Sequence, residues 1–105
     1  MESIGQTGPS LTIERQDGAT SVMLAGEWDL CEAPQLREVL DGINAAQHVL
    51  FDLTGVTYLD SSTLRVFAEF KHRSMGLGGS TAIYYGGNDR ARRLMGLSEV
   101  VTLLD

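Results

Sequence analysis

The chain has 105 residues, 43% of them apolar and 21% charged, and its 8 Lys and Arg face 14 Asp and Glu for a net charge of −6. This is the size and composition of one folded globular domain rather than a disordered chain. The acidic balance argues against general nucleic-acid binding, which needs Lys and Arg in excess, and no apolar run is long enough to span a bilayer.

The N-terminal stretch MESIGQTGPS lacks a basic region followed by an apolar one, so no signal peptide is read and the expected location is the cytoplasm. Residues 1–10 read as a loose tail, and 11–105 as the single domain. Leu11–Arg15 alternates apolar and polar residues, and Ser21–Ala25 does so more loosely. Asp17-Gly18 between them is a hairpin-turn signal, because Gly tolerates positive φ. From Cys31 the period changes. Ala33, Leu36, Val39, Leu40 and Ile43 recur at three and four residues, predicting a helix of roughly four turns with Pro34 in its first turn. Cys31, the one cysteine, has no internal partner and reads as a small half-buried residue.

Val49–Leu53 is almost continuously apolar, as expected of a central strand covered on both faces. After Asp60 the spacing is helical again: Leu64, Phe67, Ala68 and Met75 form one stripe with Val66 and Phe70 beside it, and Gly76, Gly78 and Gly79 end the helix. Thr81–Tyr85 is strand-like. Asn88 or Asp89 can cap a short helix that buries Ala91, Leu94 and Met95 and ends at Gly96. Glu99–Leu104 reads as a last strand. The order ββαβαβαβ predicts an α/β fold with a mixed sheet of about five strands.

Several chemistries can be set aside. Gly76–Thr81 is neither a P-loop nor G-x-G-x-x-G, and it lies between a helix and a strand, the reverse of a phosphate loop. His48 and His72 have no Cys or carboxylate at metal spacing, so no metal is expected. Nothing pairs a His with Ser61 or Ser62 in a nucleophile motif. Asp52 ends an apolar strand as a phosphoryl acceptor would, but the second aspartate that such phosphatases carry is Thr54 here. The only lysine is Lys71, inside a helix. The basic groups Lys71, His72 and Arg73, and Arg90, Arg92 and Arg93, read as solvated helix faces.

That leaves Asp60-Ser61-Ser62. Asp60 can cap the helix by accepting free N–H groups of its first turn. Ser61 and Ser62 then sit where the helix dipole is positive and a phosphate would be tolerated. Plain capping and a phosphorylation site both fit these residues.

A resemblance separates them. Val49-Leu-Phe-Asp-Leu-Thr-Gly-Val-Thr-Tyr-Leu-Asp-Ser-Ser-Thr-Leu64 resembles the signature of STAS domains, the anti-sigma factor antagonists, in which a buried strand ending D-L-[ST] leads to D-S-[ST]-G-L and a helix. Leu24-Ala-Gly-Glu-Trp-Asp-Leu30 is similar to the family's L-x-G-E-[LF]-D segment. Gly79–Tyr85, followed by Arg93-Leu-Met-Gly-Leu97 and a closing strand, is similar to its C-terminal third. The likeness covers residues 11–104 and implies the STAS fold.

It also implies a binding module without catalysis, cofactor or metal. Ser61, directly after the aspartate, is the serine that an anti-sigma factor with serine kinase activity would phosphorylate, in preference to Ser62. A PP2C-type phosphatase would reverse the modification. The unphosphorylated form would bind the anti-sigma factor and free a sigma factor. Asp29, Asp60 and Ser61 are implied to form one partner-binding patch, with Ser62, Thr63 and Arg65 adjoining. Thr63 replaces the family's usual Gly and Arg65 an often small residue; both bear on partner choice, and Thr63 offers another hydroxyl. They leave open a second role, as a STAS accessory subunit of a lipid-transport ATPase complex without reversible phosphorylation. A small enzyme or nucleotide binder at the Asp52–Asp60 edge is a third.

Overall fold

The structure, a computed structural model, describes residues 9–96. Strands β1 (Ser10–Gln16) and β2 (Ala19–Trp28) form a hairpin about Asp17-Gly18, with Gly18 at φ 71°. Helix α1 (Ala33–Asp41), strand β3 (His48–Leu59), helix α2 (Ser61–Gly76), strand β4 (Ser80–Tyr84) and helix α3 (Asp89–Gly96) follow. The sheet order is β1-β2-β3-β4, with β1 antiparallel to β2 and both later pairs parallel. The expected α/β fold with a mixed sheet is therefore present, with four strands among the described residues; the predicted strand Glu99–Leu104 lies outside them.

The two parallel connections, β2-α1-β3 and β3-α2-β4, step in the same direction along the sheet. Crossovers of one hand that step one way leave their helices on one face. Ile13, Val22, Phe51 and Ile83 lie side by side in register on that face. Val22, Phe51 and Ile83 belong to a core that includes Leu36 and Leu40 of α1 and Phe67 and Phe70 of α2, and Ile13 packs against it. Phe51 meets Phe67 and Phe70 edge-on at centroid distances of 4.9 and 5.6 Å.

On the opposite face, the row Thr12, Met23, Asp52 and Tyr84 contains no buried residue. The expectation of a strand covered on both faces is thus corrected. Val49, Phe51 and Leu53 point inward while Leu50 is 37% exposed, the alternation of a half-covered sheet.

Helix α1 is also shorter than its periodicity suggests. It has nine residues, and Ile43 is buried just beyond it. Cys31, in the turn before α1, is exposed rather than half-buried. In α2 the buried residues are Thr63, Leu64, Val66, Phe67, Phe70 and Ser74, which include the expected Leu64 and Phe67, while Met75 is 65% exposed. Hydrophobicity alone shifts this stripe sideways, because two of its members are small polar residues. Helix α3 begins as expected. Asn88 Oδ1 accepts the Ala91 N–H at 3.2 Å, and its amide nitrogen donates to the carbonyls of Leu53 and Val56 at 2.9 and 2.7 Å. Ala91 is buried and Leu94 packs partly against the core. No helix among the described residues is long and apolar enough to cross a membrane.

One glycine is required by a close approach. A Cβ on Gly79 would overlap the backbone carbonyl oxygens of Ala45 and Gln47, where the α2–β4 turn crosses the α1–β3 turn. Backbone yields less readily than side chains, so Gly79→Ala is expected to cost about 1–3 kcal/mol in a urea melt. Gly76→Ala, three residues earlier with open space around its Cβ, should be neutral or stabilising by up to about 1 kcal/mol. Equal midpoints for the two variants would refute the crossing.

Candidate functional site at the start of helix α2

The site is organised by one carbonyl. Trp28 ends β2 with its ring buried, and its indole N–H donates to Ala25 O at 2.9 Å. Two register irregularities between β2 and β3 bring Trp28 opposite Leu59, the last residue of β3. Trp28 O then accepts the Asp60 N–H at 3.2 Å and the Thr63 hydroxyl at 3.0 Å. The chain after β2, starting at Asp29, is thereby fastened to the first turn of α2. Both parallel strands end at this edge, where ligands and partners of α/β sheets commonly bind.

Asp60 is the N-cap, as the sequence suggests. Its backbone is extended, and Oδ1 accepts the N–H groups of Ser62 and Thr63 at 3.0 and 3.2 Å. Ser61 is exposed, Ser62 half-buried and Thr63 fully buried. The expectation that Thr63 adjoins the partner-binding patch and offers another hydroxyl is corrected: it is fully buried, its Oγ1 donates to Trp28 O, and its β-branched side chain belongs to the scaffold. Arg65, one turn after Ser61, is exposed.

Asp29 heads the turn that leads into α1. Its Oδ1 accepts the Cys31 N–H at 2.9 Å, and its own N–H donates to Glu32 Oε1 at 3.2 Å, a reciprocal arrangement like a capping box. The hydrogen bond between the two carboxyls holds Asp29 below the usual aspartate range, helped by the Cys31 N–H, and pushes Glu32 up. Asp29 therefore keeps its charge while Glu32 is the member that takes a proton first.

Two hollows flank Ser61. One, of about 310 Å³, is lined by Leu30, Pro34, Arg37, Ser61, Ser62 and Arg65. The other, about 690 Å³, runs along α2 past Tyr58, Leu64, Ala68 and His72 to Leu94 of α3. Leu30, which lines the first, is 67% exposed, and Arg37 on its wall pairs with Glu69 of α2 at 2.9 Å. Sequence reasoning missed Trp28, Leu30 and Arg37 as parts of this site. The Glu27-Trp28-Asp29-Leu30 stretch carried the only signal, an apolar residue beside an acidic one just past a strand.

Asp52 does not join the site. It lies in the exposed sheet row, and its Oδ1 accepts the Thr54 N–H at 2.9 Å. His48 Nδ1 is bonded to Ser80 Oγ at the far end of β3. The described residues contain no group of three or more His, Cys, Asp or Glu that could hold a metal.

The STAS domain model matches residues 10–103. The chain belongs to the STAS domain family. Its relatives include the anti-sigma-B factor antagonists of Listeria monocytogenes and Listeria innocua, each 32% identical over 95 residues, covering 86% of this chain and 82% of theirs. An anti-sigma factor antagonist from Mycobacterium paratuberculosis superposes with a TM-score of 0.68 at 24% identity, over 92% of this chain and 86% of that one. The phosphorylated form of SpoIIAA, a Bacillus cell-fate determinant, does so at 0.67 and 15%, over 87% and 85%. At those identities the structural likenesses speak for the fold.

In this STAS domain, Asp29→Asn tests whether the loop after β2 serves folding or binding. Asn keeps the oxygen that accepts the Cys31 N–H, so stability should change by less than about 0.5 kcal/mol. Binding of an anti-sigma factor, measured by calorimetry, should weaken about tenfold, the loss of roughly 1.4 kcal/mol in an interface. A variant that unfolds would make Asp29 a structural cap and remove it from the patch.

Proposed function

We propose that this protein is an anti-sigma factor antagonist that binds an anti-sigma factor with serine kinase activity and is switched off by phosphorylation at Ser61. The observation that carries the reading is the placement of Ser61. It is the exposed hydroxyl of the α2 start, between two hollows, while Asp60 caps the helix and Thr63 is buried. The names of the Listeria relatives support the partner class.

The reaction belongs to the partner. A nucleoside triphosphate supplies the phosphoryl group, the Ser61 Oγ–P bond forms as the bond to the nucleoside diphosphate breaks, and the hydroxyl proton leaves. The product carries about −1.5 to −2 extra charge at neutral pH. Beside Asp29 and Asp60 that charge opposes acidic groups of a partner and is costly to desolvate in an interface. A PP2C-type phosphatase resets the switch.

The deciding experiment is phosphosite mass spectrometry on the protein purified from its native host with its partners. An ATPase-type serine kinase co-purifying with the unphosphorylated form, and phosphate on Ser61, are the expected results. An unlabelled protein held in a membrane-complex ATPase would replace this reading with that of a lipid-transport accessory subunit.

A further inference from the structure

We propose that Arg65 is an intramolecular clamp for the phosphate on Ser61. Phosphorylation would draw its guanidinium back over the first turn of α2, adding negative charge to the binding surface and withdrawing a cation from it in one event. The inference rests on the phosphoserine reading above and deepens it.

Ser61 and Arg65 are four residues apart on α2, so they stack on one face of the helix. Long helical side chains lean toward the N-terminus, which carries Arg65 toward Ser61. The two residues together form the rib between the hollows, since both line each of them. What distinguishes Arg65 from the other arginines of α1 and α2 is its lack of an anion. Among the described residues it makes no ion pair, whereas Arg37 is held by Glu69 at 2.9 Å and Arg73 by Asp41 at 3.3 Å.

The surrounding carboxylates are already engaged. Asp60 accepts the Ser62 and Thr63 N–H groups, Glu69 holds Arg37, Asp29 accepts the Cys31 N–H, and Glu32 accepts the Asp29 N–H. A phosphate on Ser61 would be the anion within reach of an unoccupied fork whose geometry suits two phosphate oxygens at once. Arg37 lines the same hollow and stands behind Arg65 as a second cation that must first leave Glu69.

Phosphoserine can be placed at position 61 of the full chain during translation, so the test needs no kinase. Phosphorus NMR then follows the second ionisation of the phosphate, near 6 for a phosphoserine without partners. Arg65→Gln is expected to raise its midpoint by about 0.3–1 pH unit, and Arg65→Lys by less. The helix dipole and Arg37 act on both forms, so the difference isolates Arg65. Gln suits an exposed helix position, and circular dichroism verifies the fold. A midpoint unmoved in Arg65→Gln overturns the clamp. Failure of the phosphoserine reading would show elsewhere, as equal affinity of the Ser61 and phosphoserine-61 proteins for the anti-sigma factor.

Discussion

Phe67→Ala should destabilise the domain by about 3–5 kcal/mol, a large part of the 5–15 kcal/mol typical of a domain this size. Phe67 is 2% exposed and its ring meets Phe51 edge-on at 4.9 Å, at the junction of α2 with β3. Truncation removes the transfer energy of the ring and leaves a cavity that Phe51 and the rest of the core cannot wholly move to fill, since packed interiors relax only in part. The effect should reach the site, because α2 carries Asp60 and Ser61 at its start and is seated on the sheet through this ring. Urea unfolding checks it: a change under about 0.5 kcal/mol would place Phe67 outside the core. Met75→Ala, from the exposed end of the same helix, should stay within that limit.

Phosphorylation of Ser61 should weaken binding to the anti-sigma factor by about a hundredfold or more, roughly 2.7 kcal/mol. The fold should survive, because negative charge at the start of a helix is favoured by its dipole and Asp60 continues to cap the Ser62 and Thr63 N–H groups. Calorimetric titration of the two forms, with a thermal melt of each, separates lost binding from lost structure. Ser61→Ala should abolish labelling by the cognate kinase and keep the partner bound. Ser61→Asp should bind it more weakly, though one carboxylate imitates a phosphate poorly. Ser62→Ala should do neither, its side chain being half-buried behind the cap. Label on Ser62, or Ser61→Ala labelled like the parent, would defeat the assignment.

The elements that could be read from sequence are those whose signals are local. Asp17-Gly18 marks its turn, Pro34 the first turn of α1, and Asp60 the start of α2, each through the backbone geometry of a few neighbouring residues. The order of strands and helices follows from periodicity, and Ser61 from the Asp60-Ser61-Ser62 stretch together with its likeness to a family motif. The sequence by itself therefore determined the element order through α3 and the helix cap.

Burial and side-chain direction were decided only in the tertiary structure. An apolar run such as Val49–Leu53 does not say how many faces are covered; the hand and direction of two crossovers do, and they leave Leu50 and Asp52 on an open face. The stripe of α2 contains Thr63 and Ser74, whose polarity hides them from any hydrophobic pattern. Thr63 is buried because Trp28 O, 35 residues earlier, lies where its hydroxyl can reach it. The same carbonyl also takes the Asp60 N–H, setting the loop of Asp29 and Leu30 beside Ser61. Such an arrangement depends on where β2 stops relative to β3, a register that irregularities in two paired strands set jointly and that neither strand specifies alone.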